Sequence, residues 1–308
     1  MNGIVIKTTG KYYTVKTDSS EIFQCRLKGR FRIAGIKSTN PIVVGDKVEI
    51  EQESELWMIV KLQERRNHIL RRSVNLSKET HVIAANIDQA ILMITVSSPI
   101  TTTGFIDRFL VAANSCDVGV ALLFNKIDLL DDKLKLEQEN LQQVYERIGY
   151  KCFALSVIND DLSIVKSLMN GKINMISGHS GVGKSTLINK LQPNLNINTK
   201  EVSDTHKQGQ HTTTFSELYE LDFGASIIDT PGIKGFGLVA LERMEIANCF
   251  PEFLALKSAC RFHNCMHMDE PHCAVKVELK TGQVAESRYK NYLNMLVEGD
   301  SHFRANNY

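Results

Sequence analysis

The chain has 308 residues, 43% hydrophobic and 23% charged; this allows two or three domains with sizeable cores and excludes a disordered polymer. Its net charge of +1 excludes a uniformly polycationic or polyanionic protein, but residues 1–80 carry 15 Lys and Arg against 9 Asp and Glu, a net of +6. A basic module on a near-neutral body suits a polyanionic partner, with a solvated basic face as the plainer alternative.

The first residues, "MNGIVIKTTG", have no basic stretch leading into an apolar one, so no signal peptide is expected. Residues 1–68 read as all-β. "IVIKTTGKYYTVKT", "EIFQCRLKGRFRI", "DKVEIEQE" and "LWMIVKLQ" are short, partly alternating and separated by turn formers, as suits a small closed barrel of the OB-fold kind. "ERRNHILRRS" (64–73) reads as a basic linker.

From about residue 80 the pattern changes. "QAILMITV" (89–96) and "VGVALLF" (118–124) are continuous apolar runs, expected of strands covered on both faces. "FIDRFLVAANSC" between them has helical spacing, and "DKLKLEQENLQQVYERIGY" (132–150) is an amphipathic helix. "KCFALS", "KINMIS" and "ASIIDTPG" add strands, and "GKSTLINKLQ" opens a helix. Alternating strands and helices predict a mostly parallel sheet with right-handed crossovers. No apolar run approaches the 18 residues of a membrane span.

"NKID" follows the second apolar strand. Asp128 can accept hydrogen bonds from guanine N1–H and its exocyclic amine, a donor pair that adenine lacks. Asn125 can contact the base edge and brace a phosphate loop, Lys126 can lay its stem over the ring, and Ile127 completes the motif. Ser156, at the end of the next strand, can offer backbone N–H groups to guanine O6.

"GHSGVGKST" then lies between an apolar strand and a helix, the context a phosphate loop requires. Gly178, Gly181 and Gly183 let the backbone curl around phosphate, with His179, Ser180, Val182 and Thr186 completing the cradle. Lys184 is placed to reach the β- and γ-phosphates and Ser185 to ligate Mg²⁺. "GQHTTTF" (209–215) supplies a hydroxyl for the same Mg²⁺ when a γ-phosphate is present, with Thr213 the preferred choice among three threonines. "DTPG" follows 44 residues beyond Ser185; Asp229 suits a magnesium anchor and Gly232 a γ-phosphate contact. Many GTPases place a water-orienting Gln after that glycine. Here the position is Ile233, which cannot hydrogen-bond to water; His211, beside Thr213, could orient that water as the catalytic residue, with a solvent-facing loop histidine as the plainer alternative.

Guanine motifs thus precede phosphate motifs. A parallel sheet tolerates that order if the original termini are joined and new ones opened, which gives a circularly permuted GTPase domain. Beyond about residue 238 the chain reads as mainly helical. Four of its seven cysteines fall between 249 and 273, a pattern that favours a reducing compartment and a local metal site over a disulfide framework. In "CRFHNCMHMDEPHC", Cys260, Cys265, His267 and Cys273 suit one tetrahedral structural Zn²⁺, with Cys249, His263 and His272 as rival ligands.

This succession of motifs behind a basic β-barrel closely resembles the bacterial ribosome small-subunit-dependent GTPase A (RsgA, YjeQ/YloQ) family, over nearly the whole chain. The resemblance implies a multidomain α+β protein. An OB-fold would occupy 1–70, a circularly permuted P-loop GTPase domain 75–238 and a helical zinc-binding domain 239–308. It further implies late maturation of the small (30S) ribosomal subunit, contact with its rRNA, and hydrolysis of GTP to GDP stimulated by that subunit. The resemblance also favours the catalytic role for His211. A cytoplasmic monomer with no membrane partner is expected. The alternative is a nucleotide-dependent switch that recruits proteins without touching RNA; a P-loop ATPase is more distant, because of NKID.

Overall fold

The structure is a computed structural model and describes residues 1–28, 41–72, 80–195, 216–229 and 241–304. Five strands, β1 (Asn2–Thr8), β2 (Tyr13–Thr17), β3 (Ile22–Leu27), β4 (Lys47–Glu53) and β5 (Leu56–Leu62), form the N-terminal unit. They pair in the order β1-β2-β3-β5-β4, and β4 returns to β1, so the sheet closes. All pairs are antiparallel except β3 with β5. This is the OB-fold topology expected from the strand pattern. Alternation along each strand sends Val5, Val15, Cys25, Val48, Ile50 and Ile59 into the barrel.

The stretch read as a basic linker is structured. Within it β6 (His68–Arg72) pairs antiparallel with β7 (Thr80–Ala85) as a separate ribbon. The residues just before the ribbon are committed to internal contacts. Arg65 donates to both oxygens of fully buried Asp46 at 2.7 Å, and Arg66 bonds Asp88 and the Ile87 carbonyl. The Asn67 side chain donates to the carbonyls of Ile87 and Asp117 and accepts from the Ile87 N–H. The arginines tie the barrel to its neighbour, and the linker expectation fails because their charges are matched by Asp46 and Asp88.

The central sheet comprises β8 (Gln89–Ile94), β9 (Gly119–Asn125), β10 (Lys151–Leu155), β11 (Ile173–Ser177), β12 (Glu217–Glu220) and β13 (Ser226–Asp229). Its order is β10-β9-β8-β11-β13-β12, parallel throughout until β12 turns antiparallel against β13. Strand β8 is buried at every position; Ala90, Leu92 and Ile94 face one core and Ile91 and Met93 the other. Helices α1 (Thr103–Asn114) and α2 (Asp132–Arg147) lie over the first core, and α3 (Ser163–Met169) and α4 (Lys184–Leu191) over the second. Strand β12, which sequence reading did not identify, also pairs with β1, so barrel and central sheet are hydrogen-bonded into one eleven-stranded sheet. The Lys7–Glu217 and Lys16–Glu220 ion pairs, at 2.9 and 2.6 Å, flank that junction.

The C-terminal region folds into α5 (Arg243–Asn248), α6 (Pro251–Leu256), α7 (Ala274–Thr281) and α8 (Glu286–Arg304). A reciprocal Glu242/Glu245 capping box starts α5, and Pro251 starts α6 where no helical N–H is required. Phe250, Phe253, Val275, Tyr292 and Met295 form the core, which also takes in Val111 of α1. Arg288 of α8, 1% exposed, joins the two regions. It donates to Asp107 of α1 at 2.7 Å and to both oxygens of Glu252, and its guanidinium lies 4.5 Å from the Phe250 ring centre. Tyr145 and Asn291 donate to the same Asp107 carboxylate. Burial works against the Arg288 charge, but Asp107 and Glu252 outweigh it and raise the pKa, so the guanidinium stays protonated. No helix of the described residues is long and apolar enough to cross a membrane.

Candidate nucleotide site and metal centre

The buried strand β11 ends at Ser177, and the chain turns through three glycines with positive φ: Gly178 at 143°, Gly181 at 83° and Gly183 at 105°. Two of these positions exclude any side chain. A Cβ on Gly178 would lie 2.6 Å from the Met93 carbonyl oxygen, and one on Gly183 would lie 2.4 Å from Asn125 Nδ2. Lys184 and Ser185 open α4, with Thr186 exposed beside them. The Lys184 ammonium donates to the carbonyls of Gly178 and His179 at 2.7 and 2.6 Å, spanning the mouth of the loop. Burial, and secondarily Lys184, lowers the pKa of His179 and favours its neutral form. Ser180 is exposed, whereas Val182 is fully buried and anchors the loop in the core.

Asn125 ends β9 and faces this loop. Its buried side chain donates to the Val182 carbonyl at 2.7 Å and accepts from the Val157 N–H at 2.9 Å. One amide therefore joins three loops at the C-terminal edge of the parallel strands, where open α/β sheets bind ligands. Lys126 adopts a left-handed conformation (φ 66°) and donates to the Ser98 carbonyl at 2.6 Å. Ile127 begins a single 3-10 turn that presents Asp128 to solvent. Ser156 is buried beside Asn125, but its N–H already donates to Asp160 Oδ2 at 2.7 Å. With the Val157 N–H taken by Asn125, this loop can meet a ligand only through other N–H groups.

Sequence reading missed the segment between β8 and α1. Pro99 would lie 3.5 Å from a Cβ on Gly181, the Ser98 carbonyl holds Lys126, and the Phe105 ring packs 3.9 Å, centre to centre, from the His179 ring. "SSP" carried no recognisable motif, and Phe105 read simply as part of an apolar helix face. Asp229 closes β13 opposite Glu217 at the same edge of the sheet. His211, Thr213 and Gly232 lie outside the described residues.

In the C-terminal region the ligand atoms of Cys260, Cys265, His267 and Cys273 all lie within 4.8 Å of one another. His267 Nδ1 is 3.4 Å from Cys273 Sγ and 3.7 Å from Cys260 Sγ. Tetrahedral Zn–S and Zn–N bonds of about 2.3 and 2.0–2.1 Å require an N···S edge of about 3.6 Å, so the spacing fits. The second layer holds the backbone still. Tyr289 and Tyr292 donate their hydroxyls to the carbonyls of His267 and Met266, and Glu270 accepts from the N–H groups of Met266 and Met268. The cluster could hold a metal ion. The rivals fall outside it: Cys249 sits at the end of α5, and His263 and His272 are exposed.

A profile of the RsgA GTPase family matches residues 62–239, and one of the RsgA N-terminal domain matches residues 2–56. The chain belongs to the RsgA GTPase family. It is 51% identical over 313 residues to the small ribosomal subunit biogenesis GTPase RsgA of Flavobacterium johnsoniae, covering 100% of this chain and 96% of that one. It is 50% identical over 313 residues to the protein of the same name from Christiangramia forsetii, covering 100% and 99%. Among solved structures it resembles YjeQ from Thermotoga maritima with a TM-score of 0.78 and 33% identity, over 96% of this chain and 97% of that chain. It also resembles YloQ, described as a circularly permuted GTPase, with a TM-score of 0.77 and 28% identity, over 98% and 95%. As an RsgA GTPase the protein is a GTP-hydrolysing enzyme, and the guanine-before-phosphate order is a circular permutation of the domain.

Proposed function

We propose that this RsgA-family GTPase acts late in maturation of the small (30S) ribosomal subunit, binding rRNA and hydrolysing GTP to GDP and phosphate with stimulation by the subunit. The Asn125 bridge carries the nucleotide part of this reading, because it unites an NKID strand end with a phosphate loop in one rigid edge. The names of the relatives support the ribosomal part.

In this reading residues 1–70 bind RNA, 75–238 bind and hydrolyse GTP, and 239–308 hold the metal. The barrel surface supports the first role: Arg26 of β3 lies 4.8 Å from the ring centre of exposed Tyr12, just before β2, a cation on an aromatic of the type that stacks on bases. Asp128 reads guanine with Asn125, Lys126, Ile127 and the loop after Ser156. Gly178, His179, Ser180, Gly181, Val182, Gly183, Lys184, Ser185 and Thr186 cradle the phosphates, assisted by Asp229 and Gly232. Ser185 and Thr213 ligate the Mg²⁺ that accompanies GTP, and His211 orients the attacking water. Cys260, Cys265, His267 and Cys273 hold one Zn²⁺, which braces the fold of the C-terminal helices. The protein works as a cytoplasmic monomer, where its ribosomal partner matures.

The deciding experiment is GTP turnover with and without purified small subunits. Stimulation is the expected outcome. Turnover unchanged by subunits, together with no salt-sensitive binding to rRNA, would instead favour a switch that recruits proteins alone.

A further inference from the structure

Helix α1 touches both the phosphate loop and the metal-bearing region. Near its start, the Phe105 ring packs against the ring of His179, whose carbonyl accepts from Lys184. Another face of the helix belongs to the C-terminal unit. Asp107 meets Arg288 and Asn291, Val111 enters the C-terminal core, and Asn114 donates to the Cys249 carbonyl at 2.8 Å. Those three residues are spaced i, i+4, i+7 and so form one stripe. The Asp107–Arg288 pair is buried, at 0% and 1% side-chain exposure, and its geometry is fixed by Tyr145 and Glu252. The helix also packs on the central sheet through Ile106, Phe109 and Leu110, so any shift of α1 that keeps the Asp107–Arg288 pair must carry α8 with it.

We propose that Phe105 is a positioning residue for the phosphate loop, and that through α1 it couples nucleotide occupancy to the position of α8 and the metal-bearing unit. This rests on the nucleotide-binding reading of the phosphate loop. The route differs from the direct chain connection between the two regions, residues 230–240, because it passes through packed side chains. A loop that shifts on binding phosphate carries His179 with it, and the ring contact passes that displacement to α1. Linkage requires the reverse effect as well: loosening α8 from Asp107 must change nucleotide affinity by the same factor that nucleotide changes α8.

The experiment measures amide hydrogen exchange across residues 286–297 in the full-length, metal-loaded protein, with GDP, with a non-hydrolysable GTP analogue and without nucleotide. Equilibrium binding of both nucleotides is measured in parallel. The wild type should show nucleotide-dependent protection in α8. In Phe105→Ala that response should vanish and both dissociation constants should rise about two- to tenfold, the range of one aromatic contact, with kcat at saturation largely kept. Phe105→Tyr should restore both, which a general loss of packing would not permit. Asn291→Ala supplies the reverse arm and should weaken nucleotide binding although it lies in the other unit. Protection in α8 that ignores nucleotide in the wild type, or that responds equally in Phe105→Ala, overturns the coupling. Failure of the wild type to bind either nucleotide would instead overturn the functional reading beneath it.

Discussion

The side-chain amide of Asn125 donates to the carbonyl of Val182, 57 residues further along the chain. Its oxygen accepts from Val157, so all of its described bonds run to backbone within the candidate site. Asn125→Ala leaves a buried carbonyl and a buried N–H without partners, a loss of about 1–3 kcal/mol for each group. We expect affinity for GTP and GDP to fall together by at least about tenfold, because the phosphate loop rather than the base edge is disturbed. Calorimetric titration with both nucleotides checks this; unchanged affinity would place the site elsewhere.

Asp128 should behave differently, because it is exposed and the role proposed for it is chemical complementarity to guanine. Asp128→Asn substitutes an amide that mismatches one guanine donor. GTP binding should weaken while xanthine nucleotides gain relative to it, and competition between the two reads the change directly. A mutant with wild-type preference would remove NKID from base recognition.

The metal cluster predicts a regional effect. Chelation, or Cys265→Ser, should speed hydrogen exchange after about residue 240 and leave nucleotide affinity within about tenfold, the limit set by a single aromatic relay. Elemental analysis of protein purified without chelator should find one zinc per chain. Protein that is folded and metal-free under those conditions would refute the structural role.

Two ion pairs at the barrel should differ sharply in weight. Arg65 and Asp46 are 8% and 0% exposed, so Arg65→Ala strands a buried carboxylate and should destabilise the barrel by about 3–5 kcal/mol. Lys7 and Glu217 are 41% and 31% exposed, so Lys7→Ala should cost at most about 1 kcal/mol. Trp57, the single tryptophan, is partly buried and packs on Phe23 against the barrel core, and its fluorescence reports this unit alone during denaturant unfolding. Equal losses in the two variants would contradict the burial argument.

His211→Ala should retain GTP binding and lose most subunit-stimulated hydrolysis, since Ile233 cannot orient water. Full stimulation in the variant would assign that water to another group, including one from the ribosome.

The candidate site was legible in the sequence wherever chemistry demands a fixed spacing. Gly178 and Gly183 cannot be replaced without collision, and Lys184 and Asn125 belong to motifs whose geometry is set by the nucleotide. The cluster of Cys260, Cys265, His267 and Cys273, which could hold a metal ion, was legible for the same reason. Contacts between distant segments were not. Asp107 passed as one residue of a helical stretch, and nothing local named Arg288, 181 residues away. Arg65 and Arg66 read as surface charge because their carboxylate partners are supplied by the barrel loop and by the start of β8. Strand β12 is only four residues long and has no motif of its own, so its pairing with β1 was hidden.

That pairing bears on how the molecule can be dissected. Strand β12 is the last strand of the central sheet on its side, and β1 pairs with its first residue, Lys7 against Glu217. Cutting away residues 1–70 to test for RNA contacts would therefore also break the Lys7–Glu217 pairing and leave β12 as a fully open sheet edge, a surface that recruits strands from other molecules. A truncated protein that precipitates or self-associates would be reporting a bared edge rather than a lost RNA-binding face. Charge substitutions on the outer barrel surface, with β1 left in place, separate the two.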